Sequence, residues 1–182
     1  MYSKSLCSTC VYYATLLVLN TVNCTLSLLF MYGITILAIK KEQMGEYGIS
    51  FGMWSKKNQL LFCALLLVAF PVVHLFKSTP HIHYQLSSSL ISAQILAVSI
   101  PEELFFRSLI QTELKRHIKN QLLLFTVVSL MFTGAHLTRG INTFSLLTFF
   151  PSMVFCYARE RFKSTLPAVL LHFTYNVLFF TL

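Results

Sequence analysis

From Val11 to Ile39 the chain runs for 29 residues without one Asp, Glu, Lys, Arg or His. A helix rises ~1.5 Å per residue, so about 20 such residues cross the ~30 Å hydrocarbon core of a bilayer. Backbone in lipid must satisfy its own polar groups, which leaves only helices and closed barrels. Mostly apolar stretches recur at Leu60 to Phe76, Leu86 to Leu114, Leu122 to Leu137, Thr143 to Ala158 and Leu166 to Leu182. With Val11 to Ile39 they predict about six transmembrane helices, an all-α polytopic membrane helix bundle in a single membrane domain. Residues 1–85 would supply two helices and residues 86–182 a four-helix core. Pro71 predicts a kink in the second helix, and Pro101 a bend or a split in the third. Polarity rises in the middle of the first segment, around Asn20 to Thr25. Lys4 followed by apolar Val11 to Leu19 also has the outline of a signal peptide. No A-x-A-like site follows, so an uncleaved first helix is expected.

Only 11% of the residues are charged and the mean hydropathy is +0.68, whereas a soluble domain is about 25% charged. The net charge of +8 sits mostly in alternate loops. Lys40, Lys41, Lys56, Lys57, Lys115, Arg116, Lys119, Arg159, Arg161 and Lys163 fall in the odd-numbered loops. Lys4, Lys77 and Arg139 fall in the N-terminus and the even ones, and Arg107 lies inside the third helix. This bias predicts odd loops in the cytoplasm and both termini outside. It also accounts for the basic charge without nucleic acid, for which no basic face with interleaved aromatics is present. The five cysteines are odd in number and irregularly spaced, which is not a disulfide framework. Cys7 and Cys10, a C-x-x-C pair at a terminus, read as unpaired or incidentally paired thiols. His81 and His83 read as a solvated loop beside Pro80, His117 as a surface residue, and His74 as a packing residue.

An ionisable side chain at bilayer depth costs a few kcal/mol and marks a candidate site. Glu102, Glu103 and Arg107 lie in the third helix, His136 ends the fourth, and His172 and Asn176 lie in the sixth. Glu103 and Arg107 are four apart and share a face, so they pair. Glu102 points about 100° away and has no such partner. A carboxyl in that setting suits a general base or acid. His172 and Asn176, also four apart, have the placement of two donors to one oxyanion. Gly134 and Ala135, just before His136, allow another helix to come close. Counted along ideal helices from the cytoplasmic loops, Glu102 and His136 come out about 20 Å deep and His172 about 10 Å. Two carboxyls, two histidines and a carboxamide on three helices form the inventory of a hydrolytic site.

Three motifs carry a resemblance. Glu102 to Arg107 reads E-E-x-x-x-R, Phe132 to His136 reads F-x-x-x-H, and His172 to Asn176 reads H-x-x-x-N. In this order on successive hydrophobic segments they resemble the CAAX-protease and bacteriocin-processing (CPBP, or Abi) family of intramembrane proteases, over Leu86 to Leu182. The resemblance implies an endopeptidase cutting near the C-terminal tail or leader of a membrane-associated protein or peptide. It implies that Glu102 and His136 activate a water, that His172 and Asn176 steady the oxyanion, and that Glu103 and Arg107 support the site. No cofactor is expected; the alternative is a zinc ion on Glu102, His136 and His172, disfavoured because H-E-x-x-H is absent. The chain is shorter than the larger CAAX processing enzymes and ends soon after the last motif. A small bacterial member in the cytoplasmic membrane, acting on a sorting tail or leader peptide, fits better than one acting on prenylated substrates. The alternatives are a non-enzymatic bacteriocin-immunity or binding protein on the same scaffold, and a proton-coupled transporter. The transporter would call for the broken helices of an inverted repeat, which the sequence lacks.

Overall fold

A computed structural model describes residues 2–49, 55–76 and 85–181. Lys77, His81 and His83 lie outside them, as does the side chain of His74. The described residues form no strand and seven long helices: α1 (Tyr2–Val22), α2 (Cys24–Ala38), α3 (Lys56–Phe76), α4 (Ser88–Lys115), α5 (Gln121–Leu137), α6 (Phe149–Phe162) and α7 (Leu166–Thr181). The all-helical class follows the sequence; the count of six does not. Among the described residues α4 alone is long and apolar enough to cross a membrane by itself, while Leu6–Val22, α2, α5 and α7 are shorter apolar helices.

The extra helix arises at Asn23. Its backbone is extended (φ −162°, ψ 126°), and its side-chain oxygen accepts from Thr25 N at 2.7 Å and Leu26 N at 3.3 Å. This is an N-cap, so the rise in polarity marks the start of a new helix, not a soft spot in a long one. α1 and α2 form a hairpin whose Leu16 and Met31 share one core. α1 packs against the last turns of α4, and Tyr47, beyond α2, donates from its hydroxyl to Glu113 at that same end. The start of α1 and the end of α2 therefore lie together. The expectation of both termini on one side is corrected accordingly: the N-terminus joins the Lys40, Lys115 and Arg159 end, and α7 finishes at the other. The charge bias sharpens, because Lys4 moves to the basic end and leaves Arg139 as the loop cation opposite among the described residues.

α4 is neither split nor broken at Pro101. The ring is absorbed by widened π turns over Gln94–Ser99 and Leu104–Ile110, in which Ile100 N donates to Ile95 O and Gln111 N to Phe106 O. A proline lacks its N–H and crowds the preceding turn, and a π turn gives it room. The expected fifth helix is also two pieces. Asn142 caps a short turn, Thr143–Leu147, and α6 follows after Thr148 and runs on to Phe162, where Lys163 is left-handed at φ 54°. Arg159, assigned to a loop, is thus inside α6 and buried, donating to Glu46 O at 2.7 Å and Thr112 Oγ1 at 3.3 Å. Pro71 lies within α3.

α4 is the central helix. Its Phe105, Phe106, Leu109 and Ile110 pack with Leu16 and Met31 of the hairpin and with Leu124, Val128 and Phe132 of α5. A second cluster joins Ala69 of α3, Phe155 and Ala158 of α6, and Ala168 and Leu171 of α7. Gly134 does receive a close neighbour, and the neighbour is Tyr13 of α1. A Cβ at Gly134 would lie 2.5 Å from the Tyr13 hydroxyl, which donates to Met131 O at 2.8 Å. Gly134→Ala is therefore expected to destabilise the wild type by about 1 kcal/mol, since the tyrosine must move. In a Tyr13→Phe background the same change should be neutral or stabilising, because the clashing atom is gone and helix propensity favours alanine. Thermal unfolding of the four proteins in detergent measures this coupling.

Candidate active site

The site is assembled where α4 passes α7. Glu103 and Arg107 are fully buried and form an ion pair, Nε to Oε2, at 3.1 Å. Arg107 also donates from Nη2 to Ser152 Oγ at 2.9 Å, and its guanidinium lies 4.5 Å from the Phe132 ring centre and 5.3 Å from that of Phe155. Two aromatic faces and a hydroxyl thus replace the water that the cation has lost. The other oxygen of Glu103 takes the Nδ1–H of His172 at 2.8 Å, and Phe155 stacks on that imidazole at 5.1 Å and 19°. The imidazole is fixed in two directions, and its Nε2 faces Glu102.

Glu102 is 5% exposed, and its Oε2 makes no hydrogen bond within the protein. Two ring nitrogens flank that oxygen: His172 Nε2 at 3.9 Å and His136 Nε2 at 4.0 Å. His136 Nδ1 lies 3.0 Å from Phe132 O, and a carbonyl only accepts, so Nδ1 carries the proton there. Separations near 4 Å are too long for a direct bond and suit a shared water. Glu102, His136, His172 and Asn176 all line one cavity of about 350 Å³. Its walls include Val73, Phe144 and Phe179, and Arg139 also borders it. Asn176 donates from Nδ2 to Gln94 Oε1 at 3.1 Å, which fixes the carboxamide plane.

The depth mismatch between Glu102 and His172 disappears for a definite reason. α7 begins inside the bundle, where Thr165 N donates to Gly48 O at 2.8 Å and Thr165 Oγ1 meets Ser108 Oγ at 2.7 Å. Ser108 is six residues after Glu102 and Thr165 seven before His172, so both rise about 10 Å from one level.

Three partners were not foreseen. The spacing pairs Glu103 with Arg107 alone, yet Glu103 also holds His172. Ser152 supports Arg107 from α6, and no spacing signal marks it. Gln94 lies eight residues before Glu102, which on an ideal α-helix is 80° off the same face. The π turn between them absorbs one residue and brings them within about 20°.

A zinc ion on Glu102, His136 and His172 would need these donors closer together. Ligands at ~2.0–2.1 Å around a tetrahedral zinc lie about 3.3 Å apart, and both Nε2 atoms are farther than that from Glu102 Oε2. Among the described residues no three His, Cys, Asp or Glu side chains are disposed to hold a metal.

A helical membrane bundle that converges a carboxyl, two imidazoles and a carboxamide on one open cavity has the build of an intramembrane hydrolase. The family model described as type II CAAX prenyl endopeptidase Rce1-like matches residues 84–178, and the chain belongs to that family of CAAX-type membrane proteases. Neither a curated protein nor a solved structure matches it. The matched span contains α4 to α6 and α7 as far as Leu178, with Glu102, Glu103, Arg107, His136, His172 and Asn176, and it leaves α1 to α3 and the wall residues Val73, Phe179 and Phe180 outside.

The two glutamates should separate in a stability measurement. Glu103→Gln leaves Arg107 buried without its counter-charge and should cost about 3 kcal/mol or more. Glu102→Gln breaks no direct bond at Oε2 and should shift the thermal midpoint little. Thermal unfolding of both variants in detergent checks the contrast.

Proposed function

We propose that the protein is an intramembrane endopeptidase that hydrolyses a peptide bond near the C-terminal tail or the leader of a membrane-associated protein or peptide. Glu102, with His136, activates the water. The water oxygen attacks the carbonyl carbon, and its proton passes to the Glu102 carboxylate and then to the leaving amine. The developing oxyanion is steadied by the Asn176 amide and by a proton on His172 Nε2, whose ring Glu103 holds through Nδ1. Arg107 keeps Glu103 in place. The observation that carries this reading is the placement of both Nε2 atoms, at 3.9 and 4.0 Å, around one unbonded carboxylate oxygen in the wall of a cavity. The walls near it are apolar, which suits an apolar peptide segment. No metal enters the proposal.

The test is cleavage of a panel of tail and leader peptides by the purified protein in detergent, read by mass spectrometry. Glu102→Gln and His136→Ala should each lower kcat by about three orders of magnitude, and Asn176→Ala by about 10²–10³-fold. Equal cleavage by Glu102→Gln and wild type would sink the proposal. Incubation with a strong chelator should leave the wild-type rate unchanged. Loss of activity restored by zinc would return the metal to the mechanism.

A further inference from the structure

Asn20, where the sequence turns polar, has no part in the chemistry above, and the hairpin that carries it lies outside the span matched to the family. It nevertheless touches the site. Its Nδ2 donates to Ala135 O at 3.1 Å, next to His136, and its Oδ1 accepts from Arg139 Nη2 at 3.2 Å. Between the hairpin and the site lies a second cavity of about 10 Å³, bordered by Leu16, Asn20, Met31, Glu102, His136 and Arg139. About 10–15 Å³ is the space of one water, which needs two to four polar partners. Glu102, His136, Asn20 and Arg139 offer them. The large cavity takes none of its wall from α1 or α2, so Glu102, His136 and Arg139, which border both cavities, form a partition with one space on each side. The α1–α2 turn beyond Asn20 is exposed and polar, with Thr21, Asn23 and Thr25.

We propose that the small cavity is the station of the hydrolytic water. One water enters from the α1–α2 turn past the Asn20–Arg139 contact, rests against Glu102 and His136, and meets the substrate from the hairpin side. The inference rests on the hydrolytic function above. Each cut consumes one water: its oxygen forms the new C–O bond, the C–N bond breaks, and its proton leaves with the amine. A peptide filling the large cavity closes that side to solvent, so resupply needs a separate route.

Two variants of the full-length protein test this. Asn20→Leu and Asn20→Ala both lose the hydrogen bonds to Ala135 and Arg139, so a purely structural role would affect them alike. Leucine gives the small cavity an apolar wall, whereas alanine opens it. One readout is independent of cleavage: hydroxyl-radical labelling generated by X-ray radiolysis, followed at Met31, which is 3% exposed. Met31 should be labelled in wild type and in Asn20→Ala, and about fivefold less in Asn20→Leu, where the neighbouring water is gone. In peptide cleavage, Asn20→Leu should lower kcat about tenfold with KM within about twofold, and Asn20→Ala should stay within about threefold of wild type. An unlabelled Met31 in wild type overturns the inference, as does a parallel fall, or no change, in the two variants. Full cleavage by Glu102→Gln would instead sink the hydrolytic function, with the Met31 pattern still deciding whether the cavity is wet.

Discussion

The Glu103 carboxylate is the hinge of this structure. It is fully buried, and it divides its two oxygens between Arg107 on its own helix and His172 on α7. An unpaired charge at that depth would cost several kcal/mol, so α4 and α7 are bound to one register. Ser152 and Phe155 of α6 and Phe132 of α5 complete the shell around the cation and the imidazole. One acidic group therefore organises four helices. Glu102, the adjacent residue, is left free of such duties because a helix turns about 100° per residue.

Much of this was legible in the sequence because helical geometry is local. The spacing of four in Glu103 and Arg107 became an ion pair, and α4, α5 and α7 begin and end within about two residues of their apolar runs. The first apolar run was misread because hydropathy measures solvent preference and is blind to direction. An N-cap at Asn23 reverses the chain at little cost in hydropathy, so two helices passed for one. The topology inferred from charge had the same weakness: Lys4 changed ends when the hairpin appeared, while Lys40 and Lys119 kept theirs.

What stayed hidden depends on register and on long-range contact. Gln94 reaches the Glu102 face only because a π turn shifts it, and the trigger of that turn, Pro101, had suggested a break. The choice of His172 by Glu103 joins residues 69 apart in sequence. The common level of Glu102 and His172 depends on Gly48 and Tyr47, whose carbonyls receive Thr165 and let α7 begin inside the bundle. Local periodicity specifies which side chains share a face; it does not specify where along its axis one helix meets another.

The N-terminal hairpin shows how unmatched segments take part in a site. Without α1 and α2, Glu102 and His136 would turn their back edges to lipid, where a carboxyl is expensive and no water is at hand. Leu16, Met31 and Phe30 pack that side with apolar bulk, and Phe30 lies 6.1 Å from Phe105. Asn20 places one polar group in the gap that remains. Apolar packing excludes bulk water, and the amide keeps the gap from being wholly apolar. That division fits a reaction that needs one water at a time in a site otherwise dry.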